Sequence, residues 1–175
     1  MEELRKRKKT RLHGASYSDR GVYFLTICAK DRRCILSRVV GDRSENFGAP
    51  NIELTRYGEI ADKNIKGISA FYDDISIEHY VIMPNHIHIL LYVKENKNGP
   101  SRTPVPTTET TAQNTTVARF LSTFKRFCNK ECGENIWQYR SYDHIIRNDE
   151  DYDIHKKYIY ENPSRWYYDE LYSEK

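Results

Sequence analysis

The chain has 175 residues, 38% of them hydrophobic and 30% charged, with a formal net charge of +3. That length and balance suit one soluble globular domain large enough to bury a core. No run of about 18 apolar residues occurs and the N-terminus has no apolar signal-peptide core, so neither a membrane span nor export is expected. The four cysteines, Cys28, Cys34, Cys128 and Cys132, contain no CxxC pair. Cys128 and Cys132 could share a helical face as half a zinc site, but no second half accompanies them, and reduced cytosolic thiols are the expectation.

Charge is unevenly spread. Residues 1–48 hold twelve Lys/Arg against six Asp/Glu, and the densest part is the arm Arg5, Lys6, Arg7, Lys8, Lys9 and Arg11. Such an arm serves phosphate-backbone attraction or is simply solvated. It sets residues 1–16 apart from a domain over 17–166 and a tail over 167–175.

Taken in chain order, Gly21–Cys28 is rich in β-formers and reads as a strand. The segment from Cys34 to Val40 is expected to pair back on it as a hairpin, and residues 41–51 form a loop. Thr55 caps a helix reaching about Ile68, with Ile60, Ile65 and Ile68 as its buried stripe. A strand from Ile75 to Met83 turns at Pro84-Asn85 into a returning strand, His86 to Val93. Residues 94–116 are Lys, Asn, Pro and Thr with little to bury, a flexible loop.

Val117, Phe120, Leu121, Phe124 and Phe127 then recur at helical spacing. Lys125 and Arg126 are interleaved with them as a basic flank that can meet a phosphate backbone. Tyr142 to Arg147 is a short strand. Asn148 or Asp149 caps a last helix that ends near Asn162-Pro163, because the residue before proline disfavours helix. The pattern is α+β, a small antiparallel sheet covered by helices.

The chemistry gathers on His86-Ile87-His88. Side chains alternate along a strand, so the two imidazoles share one face and Ile87, Ile89 and Leu91 the other. That is half of a metal site. In the last helix Tyr158 and Asn162 stand four apart on one face. A cation on His86, His88 and the Asn162 amide, beside a phenol nucleophile, makes a phosphodiester-cleaving site. Spacing alone leaves Tyr152 and Tyr160 as other nucleophiles and His155 as a competing ligand.

The run Glu78-His79-Tyr80-Val81-Ile82-Met83-Pro84-Asn85-His86-Ile87-His88 resembles the histidine motif of single-tyrosine HUH transposases. Tyr142-Asp143-His144-Ile145-Ile146-Arg147-Asn148 with Tyr158-Ile159-Tyr160-Glu161-Asn162-Pro163 resembles the second block of their REP-associated tyrosine transposase branch. Tyr17 and Tyr23-Phe24-Leu25-Thr26-Ile27-Cys28 with Asp31-Arg32-Arg33 are similar to its opening strand. The resemblance spans roughly residues 11–166.

It implies a ferredoxin-like antiparallel sheet with covering helices, of HUH nuclease type. It also implies a Mg²⁺- or Mn²⁺-dependent endonuclease and strand transferase that cuts single-stranded DNA near REP-like hairpins through a 5′-phosphotyrosine. Carried over by position, Tyr158 is the nucleophile and His86, His88 and Asn162 hold the metal. Asn85, His144 and His155 stand behind the site, His144 for packing or DNA contact, and His79 is structural. The expected location is the cytoplasm at the nucleoid, as a monomer or homodimer. A hairpin-DNA-binding protein without transposition activity is the alternative. A zinc hydrolase is weakest, since no third His, Asp or Glu lies near the His pair in sequence.

Overall fold

The computed structural model describes residues 20–40, 51–94 and 116–172. The basic arm with Arg5, Lys6, Arg7, Lys8, Lys9 and Arg11, the opening Tyr17, and all of the expected loop except residues 94 and 116 lie outside them.

Four strands form one antiparallel sheet: β1 (Gly21–Cys28), β4 (Ile75–Ile82), β5 (His86–Val93) and β6 (Tyr142–Ile146), in the spatial order β4-β5-β1-β6. A smaller ribbon pairs β2 (Ser37–Val40) with β3 (Asn51–Leu54). Helix α1 (Arg56–Lys66) precedes β4, α2 (Thr116–Cys132) joins β5 to β6, and α3 (Asp149–Arg165) follows β6. The main sheet and its two crossing helices therefore have the βαββαβ arrangement of a ferredoxin-like fold.

β1 is central because both of its faces are apolar. Tyr23, Leu25 and Ile27 meet Ile87, Ile89 and Leu91 of β5, and above them pack Ile65 of α1 and Phe120 and Phe124 of α2. Each such side chain removed from water contributes roughly 1.5–3 kcal/mol. On the opposite face Phe24 and Leu90 pack with Val81, Met83, Ile159 of α3 and Trp166. The alternation expected of β5 thus holds, and it turns His86 and His88 to the α3 side.

α1 begins as expected, with the Thr55 hydroxyl accepting from the Gly58 amide. Gly58 is required there, since a Cβ would fall 2.0 Å from the Leu36 carbonyl oxygen. Ile65 and Ile68 are buried, Ile68 in a separate turn after the helix.

Three expectations are corrected. The segment from Cys34 to Val40 does not pair with β1. After Cys28 the chain passes through two consecutive residues with positive φ, Asp31 (55°) and Arg32 (54°), which turn it away from β1 before Ser37 meets Leu54. Asn51 belongs to a strand and not to a loop, Ile52 and Leu54 alternating inward against exposed Asn51 and Glu53. And α3 runs through Pro163 to Arg165. Proline there forfeits only the bond to the Ile159 carbonyl, while Ile159, Asn162 and Trp166, buried at helical spacing, anchor the final turns.

Candidate active site

His86 and His88 are 0% and 2% exposed, their rings 4.5 Å apart. Each is held through Nδ1. The Asn85 side-chain oxygen lies 2.8 Å from His86 Nδ1, and the Asn85 amide nitrogen donates to the Leu171 carbonyl at 2.8 Å. That second bond fixes which end of the amide faces the ring, so His86 carries its proton on Nδ1 and presents a lone pair at Nε2. Thr26, directly opposite His88 in the sheet, places its hydroxyl 2.9 Å from His88 Nδ1. Both Nε2 atoms are buried without a hydrogen-bond partner.

α3 brings Tyr158 and Asn162 to the same face. The Tyr158 ring sits edge-on to His88 at 5.1 Å, with the phenol partly open to solvent. The Asn162 side chain is buried, and its oxygen is also without a partner. Asp169 joins them. Its Oδ2 accepts from the Tyr158 hydroxyl and from the Asn162 amide nitrogen, each at 3.0 Å. Its carboxylate lies within 4.8 Å of the His86 and His88 ring nitrogens. The tail is thus part of the site, which the sequence did not reveal. The one signal available was the apolar pair Trp166 and Leu171 flanking an otherwise acidic stretch.

Burial sets the charge states. It lowers His86 to about 3, helped by Arg32, and it drives His88 well below the usual histidine range, helped by His86. Both rings are neutral, the form that ligates metals. Burial first, then the Asp169 charge and its hydrogen bond, push the Tyr158 phenol up to about 12.

The other candidates are placed elsewhere. His155 stacks on His144 at 4.9 Å and has Nδ1 3.1 Å from Asp151 Oδ1, while His144 Nε2 is 3.0 Å from Asp151 Oδ2. This second His-Asp-His group lies behind Phe24, whose ring separates His155 (4.6 Å) from His88 (5.1 Å). Tyr160 points to His79 Nδ1 at 3.0 Å, and Tyr152 lies against the same ring. Of the two other tyrosines considered, neither bonds within the His86–His88 group. Lys125 directs its ammonium to the Gln138 and Tyr139 carbonyls at 2.7 and 3.3 Å, and burial lowers it to about 8. Arg126 is exposed, over the Phe127 ring.

No family model matches the chain. A protein of unassigned function from Haemophilus influenzae is 28% identical over 95% of this chain and 93% of its own length. A second H. influenzae protein, named a putative REP-associated tyrosine transposase, is 30% identical over 86% of this chain and 74% of its own length. The chain belongs to the REP-associated tyrosine transposase family. An Escherichia coli K12 REP-associated tyrosine transposase is 33% identical over 50% of this chain and 43% of its own. The fold agrees with a solved REP-associated tyrosine transposase bound to a REP hairpin, at TM-score 0.59 and 24% identity, over 89% of this chain and 74% of that one. No helix among the described residues is long and apolar enough to cross a membrane.

Proposed function

We propose that this family member is a divalent-cation-dependent endonuclease and strand transferase for single-stranded DNA carrying hairpins, with Tyr158 as nucleophile. The observation that carries this reading is the convergence of three unpartnered buried donor atoms, His86 Nε2, His88 Nε2 and Asn162 Oδ1, beside the Tyr158 phenol. Buried polar atoms are nearly always paired, and two neutral imidazoles with an amide oxygen accommodate Mn²⁺ readily, while Mg²⁺ would complete its preferred oxygen shell with waters, so activity is expected with both and Mn²⁺ at least as good. When bound, the cation supplies charge neutralisation at the scissile phosphate and draws the phenol toward its ionised form.

The chain's own residues do the rest. Asn85 holds His86 with its Nε2 lone pair facing the site, and Thr26 holds the His88 ring through Nδ1. The packing of Tyr158 against His88 and Phe24 fixes the direction from which its oxygen reaches phosphorus. The Tyr158 phenol gives its proton to solvent, its oxygen attacks phosphorus, a tyrosine O–P bond forms, and the bond to the 3′ oxygen breaks. That oxygen leaves as a 3′-hydroxyl after taking up a proton, and its return reverses the step and joins strands. A hairpin substrate is supported by the REP hairpin held by the solved relative. Backbone affinity falls to exposed Arg126 and to the arm Arg5, Lys6, Arg7, Lys8, Lys9 and Arg11, whereas Lys125, expected to join them, spends its half-buried ammonium on the Gln138 and Tyr139 carbonyls.

The test is a labelled single-stranded REP-type hairpin incubated with the full chain and Mn²⁺, then run on a denaturing gel. A covalent adduct that disappears with chelator and in His86→Ala, while His86→Ala still binds the hairpin, supports the proposal. Equal loss of hairpin binding in that variant would make the histidines DNA-contacting or structural instead.

A further inference from the structure

We infer that Asp169 is a fourth protein ligand of the cation and the residue that aims the Tyr158 phenol at it. This rests on the metal-dependent reading above and extends it to a residue of the C-terminal tail.

The tail is firmly held against the His86 side of the sheet. Trp166 is buried, its ring 5.9 Å from that of His86 and 5.2 Å from that of Tyr172. The Asn85 amide donates to the Leu171 carbonyl, the Leu171 amide donates to Asp169 Oδ1 at 2.7 Å, and Arg32 reaches the Glu170 carbonyl at 3.4 Å. Asn85 therefore orients His86 with one end of its amide and secures the Asp169 segment with the other. The two are built as one unit.

The charges make the case. Asp169 forms no ion pair with a Lys, Arg or His side chain among the described residues. It stands instead beside neutral groups: two imidazoles, a phenol and an amide. Asp169 is half-buried, and the hydrogen bonds to its carboxylate all come from neutral donors, so no cation among the described residues answers its charge. Beside it lie three buried atoms with no hydrogen-bond partner, His86 Nε2, His88 Nε2 and Asn162 Oδ1. One divalent ion would answer all four.

Asn162 adds direction. Because its nitrogen donates to Asp169, its oxygen is presented as an acceptor, as a ligand must be. The resulting set of two nitrogens and two oxygens, one of them anionic, is harder than a His-His-Asn set, which favours Mn²⁺ and Mg²⁺. The Tyr158 hydroxyl shares Asp169 Oδ2, so the same carboxylate sets the phenol beside the ion.

The experiment is a Mn²⁺ titration by calorimetry, with free Mn²⁺ followed by electron paramagnetic resonance, on full-length wild type, Asp169→Asn, Asp169→Ala and His88→Ala. Melting in chelator shows that each variant folds. Asp169→Asn and Asp169→Ala should each bind Mn²⁺ on the order of tenfold to a hundredfold more weakly than wild type. Their melting temperature should also lose the Mn²⁺-dependent rise that wild type shows. Wild-type affinity in both Asp169 variants, with binding lost in His88→Ala, would overturn the assignment and leave the metal centre standing. Faster hairpin cleavage at unchanged Mn²⁺ affinity would overturn it too, making Asp169 a plug over the site. Absence of Mn²⁺ binding in wild type would defeat the metal-dependent reading itself.

Discussion

The Asn85 side-chain oxygen sits 2.8 Å from His86 Nδ1, and this contact decides which imidazole nitrogen is available to a metal. Replacing Asn85 with Ala removes the tautomer constraint and also releases the Leu171 carbonyl. Asn85→Ala should lower Mn²⁺ affinity by about tenfold or more, read by calorimetry. Thr26→Val, which deletes the hydroxyl against His88 but keeps the shape, should cost roughly 1–3 kcal/mol of stability for the buried Nδ1 left alone. Wild-type affinity in Asn85→Ala would mean that backbone geometry alone orients the ring.

A pH dependence follows from the same two histidines. Their folded-state protonation is depressed by burial, His86 to about 3 and His88 in the same direction. The unfolded chain protonates them near 6.5, so it binds more protons than the folded chain below that pH. Their stability contribution is therefore full above about pH 6.5 and is lost progressively as pH falls from there toward 3. Between pH 7 and 5 the loss from His86 is up to about 2 kcal/mol. Urea midpoints across that range should fall in wild type and fall less in His86→Gln. Parallel slopes would contradict the assigned neutral state.

The His144–Asp151–His155 group fastens the start of α3 to β6, and Asp151 also accepts from the Arg147 amide. Burial pulls the Asp151 carboxyl up, but the His144 ring, the Arg147 amide and His155 together hold it below the usual carboxylate range. Its contribution is thus complete above that range and is lost as pH falls from there through the lower folded-state value. Asp151→Asn should destabilise by on the order of 1 kcal/mol at pH 7, by urea unfolding, with the difference shrinking near pH 4. A constant difference would show that the charge plays no part.

Arg126 tests the DNA grip. If its exposed guanidinium meets a phosphate, Arg126→Ala should lower the slope of log affinity against log salt by about 0.7 for a single strand. Deleting residues 1–11 should lower it further. An unaltered slope after both changes would leave the basic groups as solvated surface.

Much of this was legible in the sequence because it depends on local pattern. β5 followed from strict alternation, which sent His86 and His88 to one face, and α3 put Tyr158 and Asn162 on one side because they are four apart. Asn148 capping also followed from residue type. What escaped notice depends on tertiary placement. The β2–β3 ribbon follows a turn made by two consecutive non-glycine residues with positive φ, Asp31 and Arg32, a conformation uncommon outside glycine. Pro163 is tolerated because its neighbours are buried. Asp169 lies in an acidic tail that carries no periodicity, and only its anchoring through Trp166 and Leu171 brings it to the site.

The most direct test of the central claim is to digest the covalent protein–DNA adduct and locate the nucleotide-bearing residue by mass spectrometry. The account predicts a 5′-phosphate linked to Tyr158, with Tyr158→Phe forming no adduct and Tyr152→Phe and Tyr160→Phe forming it as wild type does. A nucleotide on Tyr152 or Tyr160, or an adduct that persists in Tyr158→Phe, would contradict it.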